Sequence, residues 1–428
     1  NNVLQDFSNL VLLRKELASH AGYSTFFKYV NRGKFDNSDT IKNLISELNH
    51  KINTKARNEI NKIHQYFTKT FNAAKKNNKQ HETTSTMNKI SICDVIKYNN
   101  MYKNNTTFKV NDVLNTIFNI IGNYFSIKFE KSKDYDFATL QSWRPNVDVL
   151  NVIDALNGKI MGRLFLDVWY DENKNVNSPI SIRMSDKMQI IYPITSSCSH
   201  TIAESILIAN YANNKLLTYS DIVLLFREFG YILSGTCYDS RVGLVNYDEE
   251  FSNYLPLLME YIAWDRDTIK SMLKNKSLSK NKSMVNNTDS SLIDLIEMER
   301  SIDLCFNLKI KCINAKFDHL IHNSEPLMDL LINTSKNNGN VCDDILNTYK
   351  DVYKEIMDPL SDIMDVDIAH IDPLTIIQEI NNSQSMLYAN LMNEIFAYAS
   401  YWIIKHNKNR DFRSCVLSDG TTNYRDLV

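Results

Sequence analysis

A mainly helical chain carrying one small β-sheet is the fold class this sequence predicts, and three observations predict it. Glycine and proline are scarce, 10 and 7 of 428 residues, which favours long helices joined by few tight turns. Apolar residues recur at helical spacing in the first part of the chain, as at Ile41, Leu44, Ile45 and Leu48. Residues 147 to 193 change character: Val147, Val149 and Val152, then Leu164-Phe165-Leu166-Asp167-Val168-Trp169, then Ile180, Ile182, Ile190 and Ile191 read as strands.

Taken in order, residues 3 to 73 predict two or three helices, and the polar run from Ala74 to residue 90 a loop. Helix resumes over about 108 to 128. The strands of 147 to 193 follow, then a helix at about 219 to 234. Residues 275 to 291, rich in Lys, Asn and Ser, predict an exposed loop, and 291 to 405 is helical with a polar break at 333 to 340. The expected division is a helical region 1-146, a sheet-plus-helix region 147-264 and a C-terminal helical region 265-428.

Composition narrows the function classes. Hydrophobic residues are 43% and charged residues 23%, ordinary globular values, and a net charge of -2 gives no global pull towards nucleic acid. Seven dispersed cysteines without a Cys-x-x-Cys pair predict a reducing compartment and no disulfide framework. No apolar run is long enough to span a bilayer. Three groups invite chemistry and also have plainer explanations. His319 and His322 could share one helix face as metal ligands, though a mixed helix surface accounts for them. Cys198 with His200 and Asp221 could form a thiol nucleophile, though a buried cysteine accounts for it. The Lys-rich stretches 51 to 79 and 270 to 284 could contact RNA or anionic lipid, though a solvated face accounts for them.

The motif with most content is Arg227-Glu228-Phe229-Gly230-Tyr231. A zinc-peptidase helix carries His-Glu-x-x-His, two ligands one turn apart and a general-base Glu beside the first. Here Glu228 keeps the base position, but Arg227 and Tyr231 hold the two ligand positions.

The surroundings of that motif resemble the thimet-oligopeptidase family, and within it mitochondrial intermediate peptidase. Leu13-Arg14-Lys15-Glu16-Leu17-Ala18 with Gly22-Tyr23-Ser24-Thr25-Phe26 is similar to the family's helix and turn, and Asn31-Arg32-Gly33-Lys34 leans to the mitochondrial branch. Gly162 to Trp169 and Ile180 to Arg183 resemble two family strands. Phe251 with Leu258-Met259-Glu260-Tyr261 resembles the segment of the third zinc ligand, which then falls on Asn253. A late segment, Ser383 to Phe396, resembles the family's oxyanion-binding run, with the His position on Ser383 or Gln384 and two Tyr positions on Met392 and Asn393.

The resemblance implies a helical zincin-like catalytic region with a small sheet, lacking the family's N-terminal half. It implies a protein that is not an enzyme, with zinc absent and Glu228 as a remnant. The function expected on that basis is a structural or interaction subunit of a larger assembly in the mitochondrial matrix, with protein partners and RNA contact through the Lys-rich stretches. The alternative is a zinc metalloendopeptidase or a peptide binder that does not cleave. Arg227, as a buried cation, is expected to pair with Glu250 or Glu260.

Overall fold

The computed structural model describes residues 2–32, 38–77, 89–101, 106–133, 147–185, 189–190, 199–200, 202–236, 251–277, 289–302, 304–337, 339–366, 373–383 and 385–406. Helices dominate, with one five-stranded sheet, as the sequence predicts. The chain forms two compact units, each built from discontinuous stretches: 1–103 with 299–392, and 104–298 with 393–428.

The first unit is helical. It contains α1 (Asn2–His20), α2 (Phe26–Val30), the long α3 (Ser38–Asn77), α4 (Ile92–Met101), α10 (Leu304–Asn323), α11 (Glu325–Lys336), α12 (Val341–Met357) and α13 (Pro373–Ser383). Packing of α3 on α10 buries Ile52, Ala56 and Cys305 against Leu48 and Leu308. Glu59 of α3 accepts from the N–H groups of Cys305 and Phe306, so a side chain from another helix satisfies orphan donors at the start of α10. Thr25 and Ser324 cap α2 and α11 in the usual way, each accepting a backbone N–H of its helix.

His319 and His322 of α10 correct one expectation. They do not sit on a mixed surface: they are 4% and 2% exposed. His322 lies between Arg14 of α1, at 3.1 Å from Nε2, and Asp318, at 2.9 Å from Nδ1. Arginine only donates, so Nε2 accepts and Nδ1 carries the proton towards Asp318. The other oxygen of Asp318 accepts from the N–H of Leu387. His319 is held through Nε2 by Ser38 and Asn323 and stacks edge-on against Phe27. Burial is the main cause that pushes the His319 imidazole down to about 4, which keeps it neutral.

The second unit holds β1 (Phe108–Lys109), α5 (Val110–Phe125), β2 (Ile127–Lys131), β3 (Asp148–Asp154), β4 (Ile160–Trp169), β5 (Ile180–Ser185), β6 (Gln189–Ile190), β7 (Ser199–His200), β8 (Ala203–Tyr211), β9 (Leu216–Leu217), α6 (Tyr219–Thr236), α7 (Tyr254–Ala263) and α8 (Arg266–Ser277). Two helices, α9 (Asp289–Ser301) and α14 (Leu387–His406), have residues in both units. The sheet order is β2-β3-β4-β8-β5, antiparallel except for the β4–β8 pair. Val147, Val149, Phe165 and Ile206 form a buried cluster on it. Between β4 and β5 the chain is stapled by Lys174, whose ammonium meets Asp167 at 2.5 Å and the carbonyls of Asp167, Trp169 and Ala209. This fixes the entry to β5, the strand beside the candidate site.

Strands β3, β4, β5 and β6 fall where the sequence predicts strands, Ile191 lies outside the described residues, and β1, β2, β7, β8, β9 and α4 are additional. Helix α3 continues to Asn77, past the predicted start of the polar loop. Residues 78–88, most of the predicted loop at 275–291, Cys198, Glu250, Gln384 and the tail 407–428 lie outside the described residues. Among the described residues no helix is long and apolar enough to cross a membrane.

Candidate functional site

The site is built on α6 and α7. Helix α6 begins where it does because Thr218 and Asp221 form a reciprocal capping box: Asp221 accepts from the N–H and hydroxyl of Thr218, and the Asp221 N–H points back to that hydroxyl. Its inner face buries Ile222, Leu225, Phe226, Phe229, Ile232 and Leu233. Gly230 sets the spacing to α7. A Cβ there would stand 2.4 Å from Pro256 Cα and 2.7 Å from Pro256 N, so only glycine lets the two backbones approach so closely. At the far end of α7, Tyr261 donates to Glu394 at 2.7 Å, and Tyr401 and Lys405 both donate to Asp265. Burial raises the Asp265 carboxyl, but these hydrogen bonds outweigh it and hold the group below its ordinary range.

This frame brings Arg227, Glu228 and Tyr231 of α6 together with Asn253 and Glu260. Arg227 donates to Glu260 at 2.8 Å, so of the two expected partners Glu260 is the one observed. Burial opposes the Arg227 charge, but Glu260 and Tyr231 outweigh it and hold the guanidinium above its usual value. One turn on, the Tyr231 hydroxyl donates to Asn253 Oδ1 at 2.6 Å. Glu228 turns the other way. Its Oε2 accepts both the N–H and the hydroxyl of Ser181 on β5, each at 2.6 Å.

Beside Glu228 lies a cavity of 430 Å³, a size that suits a small ligand or a side chain, lined by Ile180, Ser181, Ile182, Ser205, Glu228 and Tyr231 among others. The sequence reading missed Ser181 and Ser205. The alternation Ile180-Ser181-Ile182 was a usable signal for Ser181, since it places one polar side chain between two apolar ones on a strand. Nothing local marked Ser205, which the sheet order brings in from β8.

The remaining predicted positions divide between the units. Ser383, at the end of α13, donates to the carbonyl of Ile380 and belongs to the first unit, as does buried Met392. Asn393 is 1% exposed and belongs to the second. No group of three or more His, Cys, Asp or Glu side chains able to hold a metal occurs among the described residues.

The structure defines a helical body with a small sheet, in which a Glu-bearing helix packs on a second helix. The comparisons are more specific: the model of Peptidase family M3 matches residues 2–427, and the chain belongs to that family. It is 28% identical over 171 residues to an Arabidopsis thaliana protein named "Probable thimet oligopeptidase", an alignment covering 38% of this chain and 22% of that protein. A solved structure titled "Crystal structure of putative peptidase from Chlamydophila abortus" superposes with a TM-score of 0.50 at 13% identity, over 97% of this chain and 55% of that one. The chain therefore spans about a fifth of the curated relative in the matched region and about half of the solved one.

These findings correct the expectation that the chain is not an enzyme. The family that matches nearly its whole length is a peptidase family, and both relatives carry peptidase names. The expectation rested on the three ligand positions, on the oxyanion positions at Ser383, Met392 and Asn393, and on the expected lack of the family's N-terminal half.

Proposed function

We propose that polypeptide is the ligand class of this M3-family chain, held beside β5 over the cavity that Glu228 lines. Strand β5 is an edge of the sheet, with β8 as its one sheet neighbour among the described residues. An extended peptide can follow such an edge while pockets beside it take side chains. The peptidase names of the relatives support the same ligand class.

We further propose that Arg227, Tyr231 and Asn253 hold no zinc. The carrying observation is how these residues use their polar atoms. Arg227 is committed to Glu260, and Tyr231 to Asn253. A catalytic zinc needs three ligands such as His nitrogens or carboxylates, and a guanidinium stays protonated and repels a cation. The residues do not fit the metal, so no step is routed through one. On the branch resemblance, the chain is assigned to the mitochondrial intermediate peptidase side of the family, to the mitochondrial matrix and to a larger assembly as an interaction subunit.

Elemental analysis of the purified chain, combined with binding of a labelled extended peptide, tests the first two proposals. The expected result is peptide binding without stoichiometric zinc. One tightly held zinc per chain, released by Tyr231→Phe, overturns the metal proposal; no peptide binding overturns the ligand class. Native sizing and organelle fractionation test the assembly and the location.

A further inference from the structure

We propose that the Glu228 cavity is a subsite for a primary ammonium group, from a lysine side chain or the free N-terminus of a peptide. This rests on polypeptide being the ligand class. Four observations converge on it.

First, the Glu228 carboxylate is only half used. Oε2 takes both hydrogen bonds from Ser181, whereas Oε1 has no partner among the described residues, and the residue lines the cavity. Second, the nearest cation on its own helix is already spent, because Arg227 is paired with Glu260. The negative charge of Glu228 is thus left for something that enters. Third, Ser205 also lines the cavity. It is 2% exposed, and its hydroxyl has no partner among the described residues. A buried hydroxyl facing a cavity without a partner is costly unless a ligand or water meets it. Fourth, the lining also includes the apolar residues Ile180, Ile182 and Ile232. Apolar walls with a carboxylate at one place suit a group with an aliphatic stem and a charged tip.

The chemistry separates ammonium from its competitors. A guanidinium pairs best with both oxygens of a carboxylate at once, and Ser181 already occupies Oε2. Calcium takes six to eight oxygen ligands, usually with several carboxylates. Glu228 is the one carboxylate among the described residues that line this cavity. An ammonium has three donors in a compact head. Oε1 of Glu228, the Ser205 hydroxyl and the lone pairs of Tyr231 or Ser234 can meet them without displacing an existing bond.

The test uses the full chain and four blocked or unblocked pentapeptides, followed by calorimetry or fluorescence anisotropy. Ac-Ala-Ala-Lys-Ala-Ala-amide carries a lysine ammonium alone, and Ala-Ala-Ala-Ala-Ala-amide an N-terminal ammonium alone. Ac-Ala-Ala-Ala-Ala-Ala-amide and the Nε-acetyl-lysine peptide carry neither. At least one charged probe is expected to bind about tenfold more tightly than its neutral counterpart, the gain of one charge-assisted hydrogen bond. Which charged probe gains identifies the source. Glu228→Gln keeps an oxygen to accept the bonds of Ser181 and is expected to erase the gap between charged and neutral probes. Equal binding of charged and neutral probes to the wild type, or a gap that survives in Glu228→Gln, overturns the ammonium subsite and leaves the ligand class standing. If no peptide binds in any arm, both fall.

Discussion

The two units each place an arginine beside a helix carrying chemistry-bearing residues, and the two arrangements differ in burial. In the first unit Arg14 is 8% exposed and joins His322 and Asp318, whose side chains are both 1% exposed. Arg14 of α1 reaches His322 of α10, His322 donates to Asp318 one turn back on α10, and Asp318 accepts from the N–H of Leu387 on α14. In the second unit Arg227 and Glu260 have side chains 36% and 24% exposed, and beside them Glu228 lines a cavity with an oxygen that has no partner among the described residues. The difference separates a network that holds helices together from one that borders a cavity. Histidines attract functional readings, yet the pair at 319 and 322 is enclosed, while the half-exposed carboxylate at 228 has capacity to spare.

The sharpest way to break this comparison is to open the enclosed network. Asp318→Ala removes the carboxylate beside the His322 N–H, which then keeps only the backbone carbonyl of residue 318, and leaves the Leu387 N–H without its acceptor and Arg14 without the Asp318 charge. Removing one partner from such a buried charged group costs about 3 to 5 kcal/mol. Denaturant unfolding should show a loss of that order. A loss within the range of surface substitutions would mean that the network is not the structural element described here.

Next in size is the helix contact under the open site. Gly230→Ala puts a methyl group into the backbone of Pro256, which cannot move aside as a flexible side chain can. Overpacking of this kind costs about 1 to 3 kcal/mol. It should also weaken peptide binding, because α6 must lift from α7 and carry Glu228 with it. Unchanged stability and binding would show that the α6–α7 spacing does not set the site.

A smaller effect comes from a second enclosed cation. Lys309 is fully buried and donates to Asn49 and to the Ile356 carbonyl, both uncharged, and burial pushes its ammonium down to about 8. In the unfolded chain the same group titrates near 10.4. Between about 8 and 10 the unfolded state binds more protons, so Lys309 makes stability rise with pH across that window. The buried Cys312 thiol, pushed up to about 12, acts in the opposite direction, so the wild-type curve alone mixes the two. Lys309→Met isolates the lysine. Its stability relative to wild type should fall by about 1 kcal/mol or more from neutral pH to pH 10. A difference that stays flat with pH would remove Lys309 as the titrating group.

How much of this was legible in the sequence depends on the range of the interactions. Helix α6 was legible because its signal is local: the spacing of Arg227, Glu228 and Tyr231 within the zinc-helix frame. The pairing of α6 with the segment of Asn253 and Glu260 followed from family resemblance, and the structure has it. Strand β8 was missed because a central strand is apolar on both faces and loses the alternation that marks an edge strand. Helix α4 is short and buries only Val95 among its apolar residues, so it carries little period. The enclosure of His319 and His322 was illegible for another reason. Their partners Ser38 and Arg14 lie 281 and 308 residues away, and nothing on α10 itself announces them. Ser181 and Ser205 share a cavity through strand order, which a linear pattern does not state.

The smallest expected effect sharpens the comparison from the open side. Arg227 and Glu260 form a short ion pair, but their side chains remain 36% and 24% exposed to solvent. Solvent screens such pairs, and ordering two long side chains offsets part of the attraction, so Arg227→Gln should cost less than about 1 kcal/mol. Gln at 227 still reaches Glu260 as a neutral donor, which keeps the penalty small. The same substitution in the enclosed network, Arg14→Gln, should cost more, because Arg14 also lies over the Phe26 ring and supplies the donor to His322. Measured side by side by denaturant unfolding, Arg14→Gln should exceed Arg227→Gln. The reverse order would show that the α6–α7 pair is the structural one, and that burial does not separate the two arginines.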